Sequence, residues 1–538
     1  MRFVLHCSYT GSMERAVSGA SQAHCPRLLT ETIVQLVGKQ MRSAKIQALS
    51  PTQVQSIRTR WRGDSSFIGF PDAERDTVHN SWFDNLLVKP DWFSNATSTT
   101  VTVAVARKGA GKSAVRLTSI ERRKSDSKTL IVEASADELA SLHAERLANA
   151  AERGYGAVSD WMQIYADLIC RRLARDMSGR LLTNDDEIAL RAWGKIKGIT
   201  ERDFGERIVD VVKTLIPWAK EIAGENQEQE KDSAERIARI AQATRFALYV
   251  DDFDNLQEAG GATNIRLIRD AIEAADRITH HNKNAEVHLF MRQDLWLNIN
   301  PGWHYSDKVS GVVHLNWDVS ELRNWTAQRL RLAIGIALNF DPKMISLPFD
   351  EMWHIFFTPE VTLKNKSKSD SFSYFVRRSM YTPRSLRAFI KFALDGADEL
   401  PVSELVIQDA EWSYSTDQLE FLKTEFGGLC FGLDICLQSF TGKPLEWIAS
   451  DLYKHLRGLI GNGQVRLQKG VSYGEPDIAL ARFLYRIGFL EVRYPQENRY
   501  EVRDVMRHPD HWKSVRTDDA VRWAVRSAFF NGLKSHRA

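Results

Sequence analysis

Cysteine is scarce in this chain. Five are present in 538 residues, at Cys7, Cys25, Cys170, Cys430 and Cys436, and none forms a CxxC pair. Such an odd, dispersed set excludes a disulfide scaffold and a four-cysteine zinc site, and it points to a reducing compartment. The pairs His6-Cys7 and His24-Cys25 do not change this, because adjacent residues rarely aim at one ion and no four-ligand spacing follows. No run of 18 apolar residues occurs, which excludes an ordinary membrane-spanning helix. The HExxH and GxSxG patterns are absent, as is a cluster of acids and histidines of metal-nuclease type. Charge of one sign is also lacking, since 72 Lys/Arg stand against 69 Asp/Glu. The imbalance is local: residues 1–63 hold nine basic and two acidic side chains, so the other 475 carry a net charge of −4. The main body is therefore not a basic glove for nucleic acid, and any such contact needs a local patch.

What is present is ordinary globular material, 43% hydrophobic and 26% charged. This excludes wholesale disorder and collagen-like order, and it suffices for a large core. The length allows about three or four domains. Residues 1–64 read as a poorly structured or accessory segment, compatible with a targeting peptide or with an extension ahead of Met41. Short apolar runs at 101–105, 129–134, 246–250, 287–290 and 312–315 alternate with helical periodicities. That alternation predicts an α/β fold around a parallel sheet. The stretch of more than 100 residues between the second and third runs is too long for one crossover and reads as a helical insertion over about 137–243. The remaining boundaries are a core over 65–325, a helical lid over 326–400 and a C-terminal module over 401–538. Within that module a helix around 478–485 precedes alternating strands about Pro495–Asn498, a winged-helix pattern.

The strongest motif is Ala106-Arg107-Lys108-Gly109-Ala110-Gly111-Lys112-Ser113-Ala114, set between a strand and a helix. That context is the one a P-loop requires. Amides from Gly109 to Ser113 would cradle phosphate oxygens, Lys112 would bridge the β- and γ-phosphates, and Ser113 Oγ would bind Mg²⁺. Arg107, Lys108, Ala110 and Ala114 complete the predicted ATP-binding stretch. Ala106 departs from the pattern by standing where the first glycine is usual. The run Phe246–Val250 ends in Asp251-Asp252, placing carboxylates at a strand's C-terminal edge. Asp251 is expected to hold Mg²⁺ through water. Asp252 is expected to orient or deprotonate the attacking water or, failing that, to cap the next helix. Arg292, after the strand 287–290, is placed to balance charge on the γ-phosphate or to pair with Asp294. Arg384 follows Pro383 at a helix start and is placed to reach the nucleotide from the lid, with Arg387, Arg377 and Arg378 as rivals.

Together with Phe70–Glu74, 249–256, 289–296, 315–325, 381–392 and the stretch Tyr414–Glu425, these motifs resemble the bacterial STAND/KAP-like P-loop ATPases of the additional-strand class and, more narrowly, a family of bacterial P-loop ATPases often found beside phage-defence genes. The resemblance implies strand order 5-1-4-3-2, a lid, a winged-helix-like tail and ATP hydrolysis coupled to assembly or to a partner effector. It also implies that Arg292 and Arg384 occupy sensor positions. The expectation is a cytoplasmic switch ATPase, homo-oligomeric or partnered, with ATP and Mg²⁺ and no membrane. The alternative is a nucleic-acid-binding ATPase or regulator using Arg503, Arg507, Lys513, Arg516, Arg522 and Arg526 beside Trp512 and Trp523. A small-molecule kinase using the same loop is a third reading.

Overall fold

The structure, a computed structural model, describes residues 48–61, 86–126, 129–135, 245–251, 265–281, 284–299, 308–363, 366–468, 474–496, 499–508, 511–515 and 518–533. It also describes isolated positions between 69 and 76, at 139, between 158 and 168, and at 303 and 305. Most of the expected insertion, Asp252 and Arg516 lie outside these residues.

Five parallel strands form the central sheet: β1 (Val103–Ala106), β2 (Thr129–Ser135), β3 (Arg245–Asp251), β4 (Ala285–Arg292) and β5 (Val312–Leu315). Their spatial order is β2-β3-β4-β1-β5, which read from the other edge is the expected 5-1-4-3-2. Every residue of β1 is buried, as are Phe246–Val250 of β3. Near-continuous apolar runs of this kind suit parallel strands covered on both faces. One face is packed by α3 (Ile265–His281), whose Ile268, Ala271, Ile272 and Ala275 join Val287 and Leu289 in a shared core. The other carries Val115 and Ile120 of α2 (Lys112–Lys124) against Ala104, Ala247 and Phe290.

A helical layer follows: α4 (Gln293–Ile299), α5 (Val319–Leu338), α6 (Phe349–Phe356), α7 (Ser371–Arg378), α8 (Pro383–Asp395) and α9 (Glu404–Phe426). Helix α5 starts at a reciprocal Asp318/Glu321 capping box and ends where Asn339 turns left-handed, at φ 58°. Its core is aromatic. Trp353 stacks on Phe357 at 4.2 Å between ring centres, and Phe389 meets both Phe375 (4.4 Å) and Tyr414 (4.8 Å). Such contacts add to simple area burial and fix the relative placement of these helices.

Part of the segment read from sequence as poorly structured proves ordered. Residues Pro51–Arg60 form helix α1, begun by a Ser50/Gln53 capping box. Ile57 and Trp61 enter the core beside α5 and α6, and Arg58 and Arg60 donate to the carbonyls of Ile355 and Ala337. The expected winged-helix elements are present in the C-terminal module. Strand β6 (Glu446–Ile448) leads into α10 (Ala449–Gly461) and α11 (Pro476–Arg486), followed by β7 (Leu490–Gln496), β8 (Arg499–Arg503) and β9 (Arg522–Val525). These strands make an antiparallel sheet in the order β8-β7-β9-β6. Among the described residues, no helix is long and apolar enough to cross a membrane.

Candidate functional site

The loop leaving β1 is shaped by two glycines. Gly109 has φ +81° and Gly111 φ +107°, conformations that cost little only without a Cβ. At Gly109 space forbids one as well, since a Cβ there would stand 2.4 Å from that of Arg384. Gly111 caps α2 with no side-chain hydrogen bond, so the first amides of the helix have no side-chain acceptor at the cap. A helix start without a side-chain cap leaves backbone amides able to bind an anion. The departure at Ala106 has a structural reason. Ala106 is the last residue of β1, paired with Arg292 and Leu315, and it keeps an extended backbone that needs no glycine. Trp317 pins the loop from outside by donating Nε1–H to the Ala110 carbonyl at 2.7 Å. Trp92 packs edge-on against Trp317 at 5.7 Å.

This loop borders a cleft of about 680 Å³ at the C-terminal edge of the sheet. Lys108, Gly109, Gly111, Lys112, Ser113 and Ala114 line it, together with Asp251 from β3 and Arg384 from α8. The structure thus brings eight of the sequence-predicted site residues to one space. Ala110 lies buried behind them. Asp252 is outside the described residues. Asp251 faces Arg116, whose Nε lies 3.2 Å from Oδ2, and Arg116 also pairs with Glu133 of β2. Sequence reasoning missed Arg116 and Glu133. The available signal was spacing, since Arg116 follows Ser113 by three residues on one helical face. Leu86, Leu87, Trp92 and Phe93 supply an apolar wall, also missed.

Among the described residues no group of three or more His, Cys, Asp or Glu could cage a metal. Magnesium does not need one: it commonly takes one or two protein oxygens and completes its shell with phosphate and water. Ser113 and Asp251, which both line the cleft, fit that requirement.

Two predicted residues lie elsewhere. Arg107 and Arg292 line a second, smaller cavity that shares Lys108 and Arg384 with the cleft. Arg292 holds Asp294 in a fork, with Nε and Nη2 at 2.9 and 2.8 Å from its two oxygens. Burial alone would raise the Asp294 carboxyl, but Arg292 overrides it and keeps the group below its ordinary range. The remaining Nη1 of Arg292 donates to Glu425, in the last turn of α9. The other oxygen of Glu425 takes Lys108 Nζ at 2.6 Å. Phe421 and Phe426 of the same helix lie under the two cations at 5.4 and 5.2 Å. Arg107 runs toward the C-terminal module, where a Cβ on Gly488 would come within 2.9 Å of its Nη2.

The basic stretch of the C-terminal module is largely committed within the molecule. Arg503 pairs with Glu501 and Arg507 with Asp504, while Arg526, Trp512 and Trp523 are buried. Lys513 is exposed. Helix α11, which precedes the hairpin, buries eight of its eleven residues.

No known family profile matches the chain. It is 20% identical over 442 residues to an 80.3 kDa protein of Escherichia coli (strain K12) named for transposon gamma-delta. The match takes in 76% of this chain and 59% of that protein, so the chain spans about three fifths of its relative's length. Two solved forms of the Aeropyrum pernix ORC2 protein are also similar. The form with ADPNP–ADP complexes is 11% identical, covering 83% of this chain and 94% of the other, at a TM-score of 0.32. The ADP form is 12% identical, covering 79% and 98%, at 0.26. Likeness at this level carries no argument about chemistry.

Proposed function

We propose that this chain binds ATP with Mg²⁺ in the cleft and hydrolyses it, acting as a switch whose nucleotide state is felt by the C-terminal module. The observation that carries this reading is the grip of Glu425 on both Lys108 of the P-loop and Arg292 at the end of β4. A nucleotide that draws Lys108 toward phosphate must loosen that grip, which gives binding a mechanical consequence.

In this reading the amides of Gly109–Ser113 and the N-terminus of α2 bind the phosphates, and Lys112 supplies the charge that meets the terminal oxygens. Ser113 and Asp251 hold the metal, which neutralises phosphate charge when bound. Loading it requires Asp251 to exchange Arg116 for the metal shell, leaving Arg116 with Glu133. Arg384, whose Cβ packs on Gly109, reports the occupied loop to α8. The apolar wall with Trp92 accepts the base. Asp252 orients the attacking water. Arg292 acts as a coupling residue, since it faces Glu425 and not the cleft.

The motif resemblance extends this proposal to a component of a prokaryotic anti-phage system, assembling with itself or with an effector protein. A relative named for a transposon is in keeping with a gene that travels with mobile DNA. The internal pairing of Arg503, Arg507 and the buried Arg526 weighs against a nucleic-acid role through that stretch.

The test is calorimetric titration of MgATP with a parallel turnover assay. Lys112→Ala should weaken binding by about a hundredfold or more, the cost of removing one partner of a desolvated charge pair. Asp252→Ala should keep binding and lose turnover. Equal turnover in both variants and the parent contradicts the proposal.

A further inference from the structure

The second cavity has a volume of about 150 Å³. It is too small for a nucleotide beside its 680 Å³ neighbour. Five cationic side chains line it, Arg107, Lys108, Arg292, Arg384 and Arg486, against three carboxylates, Asp294, Asp417 and Glu425. The carboxylates are engaged: Asp294 by Arg292, Glu425 by Lys108 and Arg292, and Asp417 by the amide of Gln418 at 3.2 Å.

Arg107 stands apart from this pairing. Its Nη1 is closed off from solvent and, among the described residues, meets no hydrogen-bond acceptor. Gln293, which also lines the cavity and is 4% exposed, has its Nε2 in the same condition. Arg526, buried close by and facing the Asp504 carboxylate, offers Nη1, among the described residues, to the sulfurs of Met380 and Met506, at 3.4 and 3.0 Å. Thioether sulfur is a weak acceptor that brings no negative charge. Burial first, and the neighbouring Arg526 second, lower the Arg107 guanidinium to about 9, against the pull of Asp504 and Asp294. Enclosed charge without a hydrogen-bonding partner is among the costliest arrangements in a protein. Water would satisfy the free donors but not the charge. The group that answers both is a small anion rich in acceptors.

We propose that this cavity is a second anion site, taking one small tetrahedral oxyanion of the phosphate class on Arg107 Nη1 and Gln293 Nε2. An occupant there would also compete with Glu425 for Lys108 and Arg292, so it would bear on the same contact that the nucleotide is proposed to loosen.

The experiment is titration of inorganic phosphate into the full chain carrying Lys112→Ala, which removes the lysine of the P-loop and so weakens that competing site. The expected result is one saturable binding event that chloride at equal ionic strength does not reproduce. Adding Arg107→Gln should weaken it by about tenfold or more, as befits loss of a hydrogen bond from a charged donor. Adding Gln293→Leu should weaken it to a smaller extent. Circular dichroism on each variant identifies those that fold, and if Arg107→Gln does not, the Gln293→Leu result decides. Absence of phosphate binding in the Lys112→Ala parent overturns the proposal, as does undiminished affinity in the folded variants. A failure of ATP to bind the wild-type chain would leave this result readable, because the parent of the series already lacks Lys112.

Discussion

The loop at 107–111 stands between two cavities that treat its cations differently. On the cleft side Lys112 and Ser113 lie at an uncapped helix start with room for a large ligand. On the other side Lys108 and Arg292 are taken up by one carboxylate, and Arg107 is pressed against the C-terminal module. The first arrangement holds its donors ready for something absent from the chain; the second spends most of them on the chain itself. The contrast teaches that consecutive residues of a phosphate loop need not share a task. In the proposed reading residues 109–113 serve the ligand, while Lys108 joins the loop to a helix more than 300 residues away and Arg107 reaches the turn at Gly488.

The comparison can be broken most forcefully at Glu425. Glu425→Ala leaves the mostly buried Arg292 with Asp294 alone and the partly exposed Lys108 without this carboxylate, and the loss of two charged hydrogen bonds should cost about 3 kcal/mol of stability. Denaturant titration reads this directly, and a loss near zero would mean the contact does not join the two regions.

A pair of glycine variants sharpens the contrast at intermediate size. Gly109→Ala meets both an unfavourable φ and the Arg384 side chain, and should cost about 2 kcal/mol. Gly111→Ala is strained in φ, but its nearest neighbour, the Ala114 Cβ, stands 3.9 Å away, so about 1 kcal/mol is expected. Melting of the two variants side by side should rank them in that order. The reverse order would place the lid helix off the loop.

The smallest effect concerns pH. Burial is the main cause that lowers the imidazoles of His288 in the sheet and of His455, His508 and His511 in the C-terminal module below the ordinary 6.5. As pH falls through 6.5 the unfolded chain takes up these protons first. Stability is therefore intact above 6.5 and declines below it. Thermal melts at pH 7.5 and 5.5 should show the lower midpoint at 5.5. With three of the four histidines in it, the C-terminal module should loosen before the sheet.

How much of this was legible in the sequence follows from how local each signal is. The five strands are runs of consecutive apolar residues, and the phosphate loop is contiguous, so both could be read directly. Pro383 announced the start of α8, and the structure has it in the first turn, after Thr382 as N-cap. The fate of Arg292 could not be read, because Glu425 lies 133 residues further on and only folding brings them together. The inward turn of Arg107 was equally hidden, since a loop's spelling does not reveal which side each residue takes. The helix at 51–60 was missed for a different reason. It presents few apolar residues to a periodicity argument, although its Ser50/Gln53 capping box was there to be seen.

The most direct test of the central claim is calorimetric titration of MgATP into the wild-type chain, Lys112→Ala and Glu425→Gln. If the loop serves a nucleotide on one side and the C-terminal module on the other, Lys112→Ala binds about a hundredfold or more weakly than wild type. Glu425→Gln, by freeing Lys108, binds more tightly than wild type. Undiminished affinity in Lys112→Ala, or an affinity in Glu425→Gln equal to that of wild type, would contradict the account.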